Sequence, residues 1–154
     1  MGNILEIQDL NKEYKGFSLK HIHMTIPAGY IFGFVGQNGA GKTSTINMIN
    51  HICKYKTGTI KVDGITYDED TVRYKESIAY VGDESYFTRG MKIKTLKKTL
   101  KDFYKTFDEK KFDSYIEKYN LPVNKKIDDF SRGMKVKLMF ATVFSRDSKL
   151  LILD

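Results

Sequence analysis

Residues 36–43 decide the fold of this chain, and they read Gly36-Gln37-Asn38-Gly39-Ala40-Gly41-Lys42-Thr43. They match the pattern G-x-x-x-x-G-K-[ST] at every position. The glycines let the backbone wrap tightly, so that its N–H groups point at phosphate oxygens. The Lys42 ammonium adds a positive charge, and the Thr43 hydroxyl is a hard oxygen ligand of the kind that Mg²⁺ prefers. The stretch therefore predicts a phosphate-binding loop for a nucleotide.

The segments on either side of this loop agree with that prediction. Residues 30–35 are apolar and uncharged, which predicts a strand buried on both faces. Residues 42–51 are predicted to form a helix, whose positive dipole end would face the bound phosphates. A chance match in a glycine turn is the alternative, but a strand before the loop and a helix after it favour nucleotide binding.

The rest of the chain alternates between strand-like and helix-like patterns. Strands are predicted at residues 4–10, 17–26, 78–81 and 150–153, and a turn, a short strand and another turn are predicted at residues 57–64. Apolar residues recur at helical spacing between them, above all within residues 84–146. These patterns predict an α/β fold, a P-loop NTPase core with an N-terminal antiparallel β part and an inserted α-helical subdomain. We interpret residues 1–154 as one domain, with a core part (1–83), the helical subdomain (84–146) and a last strand (147–154).

Composition narrows the classes of protein. The chain has 154 residues and a net charge of +7, but its lysines are spread along the whole sequence. A basic balance can indicate nucleic acid or acidic lipid, yet the even spread favours an ordinary solvated surface, and no nucleic-acid partner is expected. The lone Cys53 fits a reducing compartment. No uncharged run approaches the roughly 20 apolar residues of a membrane span, and we expect a cytoplasmic protein.

Four motifs in order resemble the ABC-type ATPase family, and the resemblance runs the length of the chain. They are the loop at residues 36–44, a turn-strand-turn at residues 57–64, the signature-like Phe130-Ser131-Arg132-Gly133-Met134, and the Walker B-like strand at residues 150–154. The resemblance implies an ATP-binding and hydrolysing transporter subunit with ATP and Mg²⁺ as cofactors. It also implies two protein partners, a transmembrane permease subunit and a second ATP-binding subunit in a head-to-tail dimer. The chain would then lie on the inner face of the cell membrane.

Individual roles follow from the same resemblance. The implied nucleotide-binding residues are Tyr14, Gly36, Gln37, Asn38, Gly39, Ala40, Gly41, Lys42, Thr43, Ser44, Ser131 and Gly133. Tyr14 would stack on adenine, although a tyrosine exposed in a turn is the alternative. Ser131 would cap a helix whose end faces the ATP of the partner subunit. Thr43, Asp83 and Asp154 are the implied Mg²⁺ residues, although Asp154 could be an ordinary carboxylate at a strand end.

Two departures from the family pattern limit the expected activity. Asp83 stands where the family usually has a glutamine, and its role is left open. The family's catalytic glutamate follows the Walker B aspartate, so no catalytic residue is expected within this chain, which ends at Asp154. We interpret the chain as a fragment with slow or absent turnover. The alternatives are a soluble ABC-type ATPase without a transport role and a non-hydrolysing regulatory subunit.

Overall fold

The computed structural model describes residues 2–82 and 86–154 of the chain. The chain divides into two compact units. The first, here called the β unit, comprises the residues up to Ile78 together with Lys149–Ile152 and Asp154. The second, here called the helical unit, comprises Ala79–Ser148 and Leu153. The division of the domain into residues 1–83, 84–146 and 147–154, made from the sequence, stays a prediction.

A four-stranded antiparallel sheet forms the main part of the β unit. Its strands lie in the order β2-β1-β3-β4. They are β1 (Asn3–Tyr14), β2 (Phe17–Pro27), β3 (Thr57–Val62) and β4 (Ile65–Thr66). Lys15 and Gly16 make the tight turn between β1 and β2, and Gly16 adopts the positive φ of 84° that such a turn requires. The predicted antiparallel N-terminal part is confirmed.

Irregular pairing between β1 and β2 changes which side chains reach the core. Leu10 pairs with Ile22, but Lys12 pairs with Leu19, so β2 contains one residue more than β1 between these pairs. His21 lies in this bulge with a positive φ of 50°. Because side chains alternate between the faces of a strand, one extra residue inverts the pattern. Leu19 is therefore buried together with Ile26.

The core of the β unit lies between this sheet and two helices, α1 (Lys42–Ile49) and α2 (Thr71–Ser77). The helix α2 begins at the N-cap Asp70, whose carboxylate accepts a hydrogen bond from the Arg73 amide at 3.0 Å. Apolar side chains from all these elements are buried in one cluster: Ile4, Leu5, Ile7, Leu10, Leu19, Ile26, Met48, Ile49, Ile60, Val62, Tyr74 and Ile78.

The segment before the loop differs from the prediction. Residues 30–35 belong to no strand, and the side chains of Ile31 and Val35 are almost completely exposed. The predicted strand, buried on both faces, is therefore wrong for this structure. An apolar run favours a strand only where neighbouring strands can satisfy its backbone groups, and local sequence does not encode that pairing. The helix predicted at residues 42–51 also ends earlier, at Ile49.

Within the described residues, the helical unit is built from the helices α3 (Ile93–Phe103), α4 (Glu109–Lys118) and α5 (Arg132–Phe144). The helix α4 begins at Asp108, whose carboxylate accepts a hydrogen bond from the Lys111 amide at 3.0 Å. The largest apolar cluster of the unit consists of Ile93, Leu96, Phe112, Ile116, Leu121, Ile127, Phe130, Leu138 and Ala141. The predicted inserted helical subdomain is confirmed as a compact helical unit.

Two further strands complete the described structure. They are β5 (Ile78–Val81) and β6 (Leu150–Leu153), which form a separate two-stranded sheet. Asp154 follows β6 directly. Within residues 2–82 and 86–154, no helix is both long and apolar enough to cross a membrane.

Candidate functional site

The glycine-rich loop adopts a backbone that only glycine accommodates easily. Gly39 and Gly41 have φ values of 86° and 92°, in the left-handed region. Between them, the Ala40 amide donates a hydrogen bond to the carbonyl oxygen of Gln37 at 3.1 Å. The residues from Gly36 to Ala40 are exposed. The loop therefore offers its backbone to solvent in a conformation that the sequence pattern requires.

Lys42 directs its positive charge back into this loop. Its ammonium donates hydrogen bonds to the carbonyl oxygens of Gly36, at 2.6 Å, and Gln37, at 2.9 Å. Bonds from an ammonium group are charge-assisted and stronger than neutral ones. The side chain is thus held where a phosphate in the loop would meet it.

The N-terminal turn of α1 carries no negative charge. Its N-cap is Gly41, and no side chain caps the helix there. The Gly41 carbonyl accepts hydrogen bonds from both the amide and the hydroxyl of Thr45, each at 2.9 Å. The first N–H groups of a helix have no partner within it, and its dipole is positive at this end. Together with Lys42, α1 therefore makes the end of the loop attractive to an anion.

One supporting contact of the loop was missed in the sequence. A Cβ atom added to Gly41 would lie 2.4 Å from Cδ2 of Leu19, so β2 touches the loop at this glycine. Regular alternation groups Ile22, Met24 and Ile26 on one face and leaves Leu19 outside the set. The irregular pairing of β2 with β1 brings Leu19 inward, and no local pattern in the sequence predicts this irregularity.

Tyr14 lies at the end of β1, within a separate set of contacts. Its ring stacks on Phe17 at 6.1 Å between centroids, and the Lys12 ammonium lies 5.3 Å from the Tyr14 ring centre. Its hydroxyl lies 3.8 Å from the Cys53 sulfur. Tyr14 is 39% exposed, so part of the residue is open to solvent, and its contact with adenine stays a prediction. Sequence reasoning did not find Lys12 or Cys53 as neighbours of Tyr14.

Ser131 and Gly133 belong to the helical unit and lie at the start of α5. The Ser131 hydroxyl accepts a hydrogen bond from the Met134 amide at 3.2 Å, as an N-cap residue does. Both Ser131 and Gly133 are exposed, and a Cβ atom at Gly133 would meet nothing within 4 Å. The capping role is therefore visible, while the contact with ATP stays a prediction.

Ser131→Ala is expected to lower the free energy of unfolding by about 1 kcal/mol, because α5 loses its capping acceptor. Urea unfolding followed by circular dichroism measures this loss. Ser131→Asn is the matched control, since its amide oxygen can accept the same bond and should limit the change to a few tenths of a kcal/mol. An equal loss in both variants would contradict a capping role.

The implied Mg²⁺ residues contribute oxygen atoms at two places of the β unit. Thr43 is exposed in the first turn of α1, and Asp154 is exposed after β6. A hydroxyl and a carboxylate fit the oxygen ligands that Mg²⁺ prefers. Asp83 lies outside the described residues. Among the described residues, no group of three or more histidine, cysteine, aspartate or glutamate side chains is arranged to hold a metal.

Comparisons with known proteins agree on one family. The sequence model of the family described as ABC transporter matches residues 19–154. The ABC transporter ATP-binding protein YtrB of Bacillus subtilis is 31% identical over 152 residues, which cover 98% of this chain and 52% of YtrB. The bacitracin transport ATP-binding protein BcrA of Enterococcus faecalis is 28% identical, over 100% of this chain and 51% of BcrA. The chain thus spans about half the length of the curated relatives that it matches.

Solved structures agree on the fold. An ATP binding subunit of an ABC transporter superposes with a TM-score of 0.89 at 23% identity, over 98% of this chain and 65% of that one. The protein cbiO1 from Clostridium perfringens, described as part of the transporter complex cbiONQ, gives a TM-score of 0.77 at 24% identity. This alignment covers 100% of this chain and 66% of cbiO1. The predicted fold class is confirmed.

Proposed function

We propose, since this chain belongs to the ABC transporter family, that it carries the ATP-binding part of a subunit that hydrolyses ATP and energises transport through a separate membrane subunit. The observation that carries the proposal is the position of the Lys42 ammonium, on the carbonyl oxygens of Gly36 and Gln37. The helix α1 begins at Lys42, directly after the loop, and its N-terminal end carries the positive end of the helix dipole.

ATP would bind with its phosphates in this loop. The N–H groups of the loop and of the first turn of α1 would donate hydrogen bonds to the phosphate oxygens, and Lys42 would exchange its carbonyl partners for the terminal phosphates. Tyr14 would stack on the adenine ring, a contact worth about 1–3 kcal/mol by analogy with base–aromatic stacking. Mg²⁺, held by Thr43 and through water by Asp154, would neutralise charge on the phosphates. We assign no general base to a residue of this chain.

The partners of the whole protein are part of the proposal. The family implies a transmembrane subunit and a second ATP-binding subunit. In such a head-to-tail dimer, the exposed start of α5, with Ser131 and Gly133, would face ATP on the partner subunit. The chain would then work at the inner face of the cell membrane. The protein cbiO1 is described as part of the ABC transporter complex cbiONQ, and this description supports the proposal that the present chain also works within a transporter complex.

Lys42→Ala tests the proposal through the affinity for MgATP. A hydrogen bond to a charged group contributes about 1.5–3 kcal/mol. We therefore expect the dissociation constant to rise about 10- to 150-fold, since 1.4 kcal/mol corresponds to a factor of ten. Isothermal titration calorimetry of the unchanged chain and the variant measures this difference.

Lys56→Ala is the matched control, because it removes a lysine that pairs with Glu13 at 3.0 Å on the surface of the same unit. MgATP affinity should not change in this variant. If the unchanged chain binds no MgATP, the proposed function fails. If Lys42→Ala binds as tightly as the unchanged chain, the role given to Lys42 is wrong.

A further inference from the structure

The C-terminal end of α1 is closed by backbone hydrogen bonds. The Ile52 amide donates to the carbonyl of Asn47 at 2.8 Å, and the His51 amide donates to the carbonyl of Met48 at 3.0 Å. These two bonds form a Schellman motif. His51 occupies the position that glycine usually takes, with a φ of 54°. A side chain costs about 1–2 kcal/mol in this conformation, so other contacts must hold His51 there.

Two side chains of α2 satisfy the remaining carbonyl groups at this end. The Tyr74 hydroxyl donates to the carbonyl of Ile49 at 2.7 Å, and the Lys75 ammonium donates to the carbonyl of Asn50 at 2.5 Å. Tyr74 is almost completely buried, and this burial raises the pKa of its phenol. The phenol therefore keeps its proton and remains a donor. The Lys75 charge also complements the negative end of the α1 dipole.

Stacked rings connect these groups. The His51 ring stacks on Tyr67 at 3.5 Å between centroids, and Tyr67 meets Tyr74 edge-on at 5.7 Å. The Lys75 ammonium lies 5.5 Å from the centre of the Tyr67 ring. We call His51, Tyr67, Tyr74 and Lys75 the α1 clamp. Every contact of the clamp lies within the β unit.

We propose that the α1 clamp positions the phosphate loop, with Tyr74 and Lys75 as its positioning residues. The helix α1 has eight residues and is about 12 Å long, so a shift at one end moves the other. At its N-terminal end the cap is Gly41, and no side chain accepts a capping hydrogen bond there. The clamp therefore anchors the C-terminal end of α1 to α2, whereas the side-chain hydrogen bonds at the loop end come from Lys42 and Thr45 of α1 itself. The inference rests on the proposed function, because the aligned loop is the one that would hold ATP.

Two variants test the clamp, Tyr74→Phe, which removes only the hydroxyl, and Lys75→Met, which keeps the length of the stem. We expect the MgATP dissociation constant to rise about 5- to 10-fold in each. Without nucleotide, the amides of α1 should exchange hydrogen about 10-fold faster, while those of β1 stay unchanged. Lys75→Arg keeps the charge and should restore most of both properties.

Ile7→Val is the control for a general loss of stability. It trims a buried side chain of β1 and leaves the contacts of the clamp intact. At a temperature where every variant is folded, it should bind MgATP as the unchanged chain does. Equal MgATP affinity in Tyr74→Phe, Lys75→Met and Ile7→Val would overturn the proposal, as would unchanged exchange in α1. If the unchanged chain binds no MgATP, the proposed function fails. The rate of amide hydrogen exchange in α1, measured without nucleotide, then tests by itself whether the clamp holds the helix.

Discussion

Phe112→Ala is expected to lower the free energy of unfolding of the helical unit by about 3–5 kcal/mol. Phe112 lies on α4, and its side chain is completely buried in the largest cluster of that unit. Its ring also contacts Phe107 at 5.5 Å between centroids. Alanine would remove the ring and leave a cavity that close-packed neighbours fill only in part. The loss would be a large part of the stability of an ordinary domain.

Chemical denaturation of the whole chain, followed by helical circular dichroism, measures this effect. Phe103→Ala is the matched control in the same unit, because the Phe103 side chain is 76% exposed. Its removal should change the free energy of unfolding by no more than about 0.5 kcal/mol. Similar losses in the two variants would show that Phe112 does not anchor this core.

Gly58→Ala is expected to destabilise the β unit by about 2–6 kcal/mol, the sum of a conformational cost and a clash. Gly58 lies near the start of β3 with a φ of 105°, a conformation that costs a residue with a side chain about 1–3 kcal/mol. A Cβ atom would also lie 2.5 Å from the Asp9 carbonyl oxygen and 2.6 Å from the Leu10 Cα atom. Both atoms belong to the backbone of the neighbouring strand, which cannot move aside as a side chain can. Such overpacking adds about 1–3 kcal/mol.

Gly64→Ala separates these two causes. Gly64 also has a positive φ, of 78°, but a Cβ atom there would meet nothing within 4 Å. This variant should lose only about 1–3 kcal/mol, the conformational cost that both positions share. The difference between the two midpoints of thermal unfolding then isolates the clash with β1. If Gly64→Ala is as unstable as Gly58→Ala, the close approach of the strands is not the cause.

The sequence by itself determined the parts whose physics is local. Glycines at positions 39 and 41 permit the positive φ angles of the loop, and Lys42 needs only its neighbours to turn back into the loop. The N-cap of α2 is also local, because Asp70 lies only three residues from Arg73, whose amide it caps. The order of the sequence motifs along the chain was enough to predict the fold class. The roles of Tyr14 and Ser131 toward ATP stay predictions, because they depend on a ligand and a partner subunit.

Only the tertiary structure decided the features that depend on distant segments. The bulge at His21 turns Leu19 toward Gly41, although alternation along β2 indicates the opposite face. Residues 30–35 have the composition of a buried strand but lie outside every sheet, since strand formation needs partners elsewhere in the chain. The α1 clamp joins residues about 25 positions apart. Pairing and packing over such separations depend on how the whole chain closes, which short-range patterns do not encode.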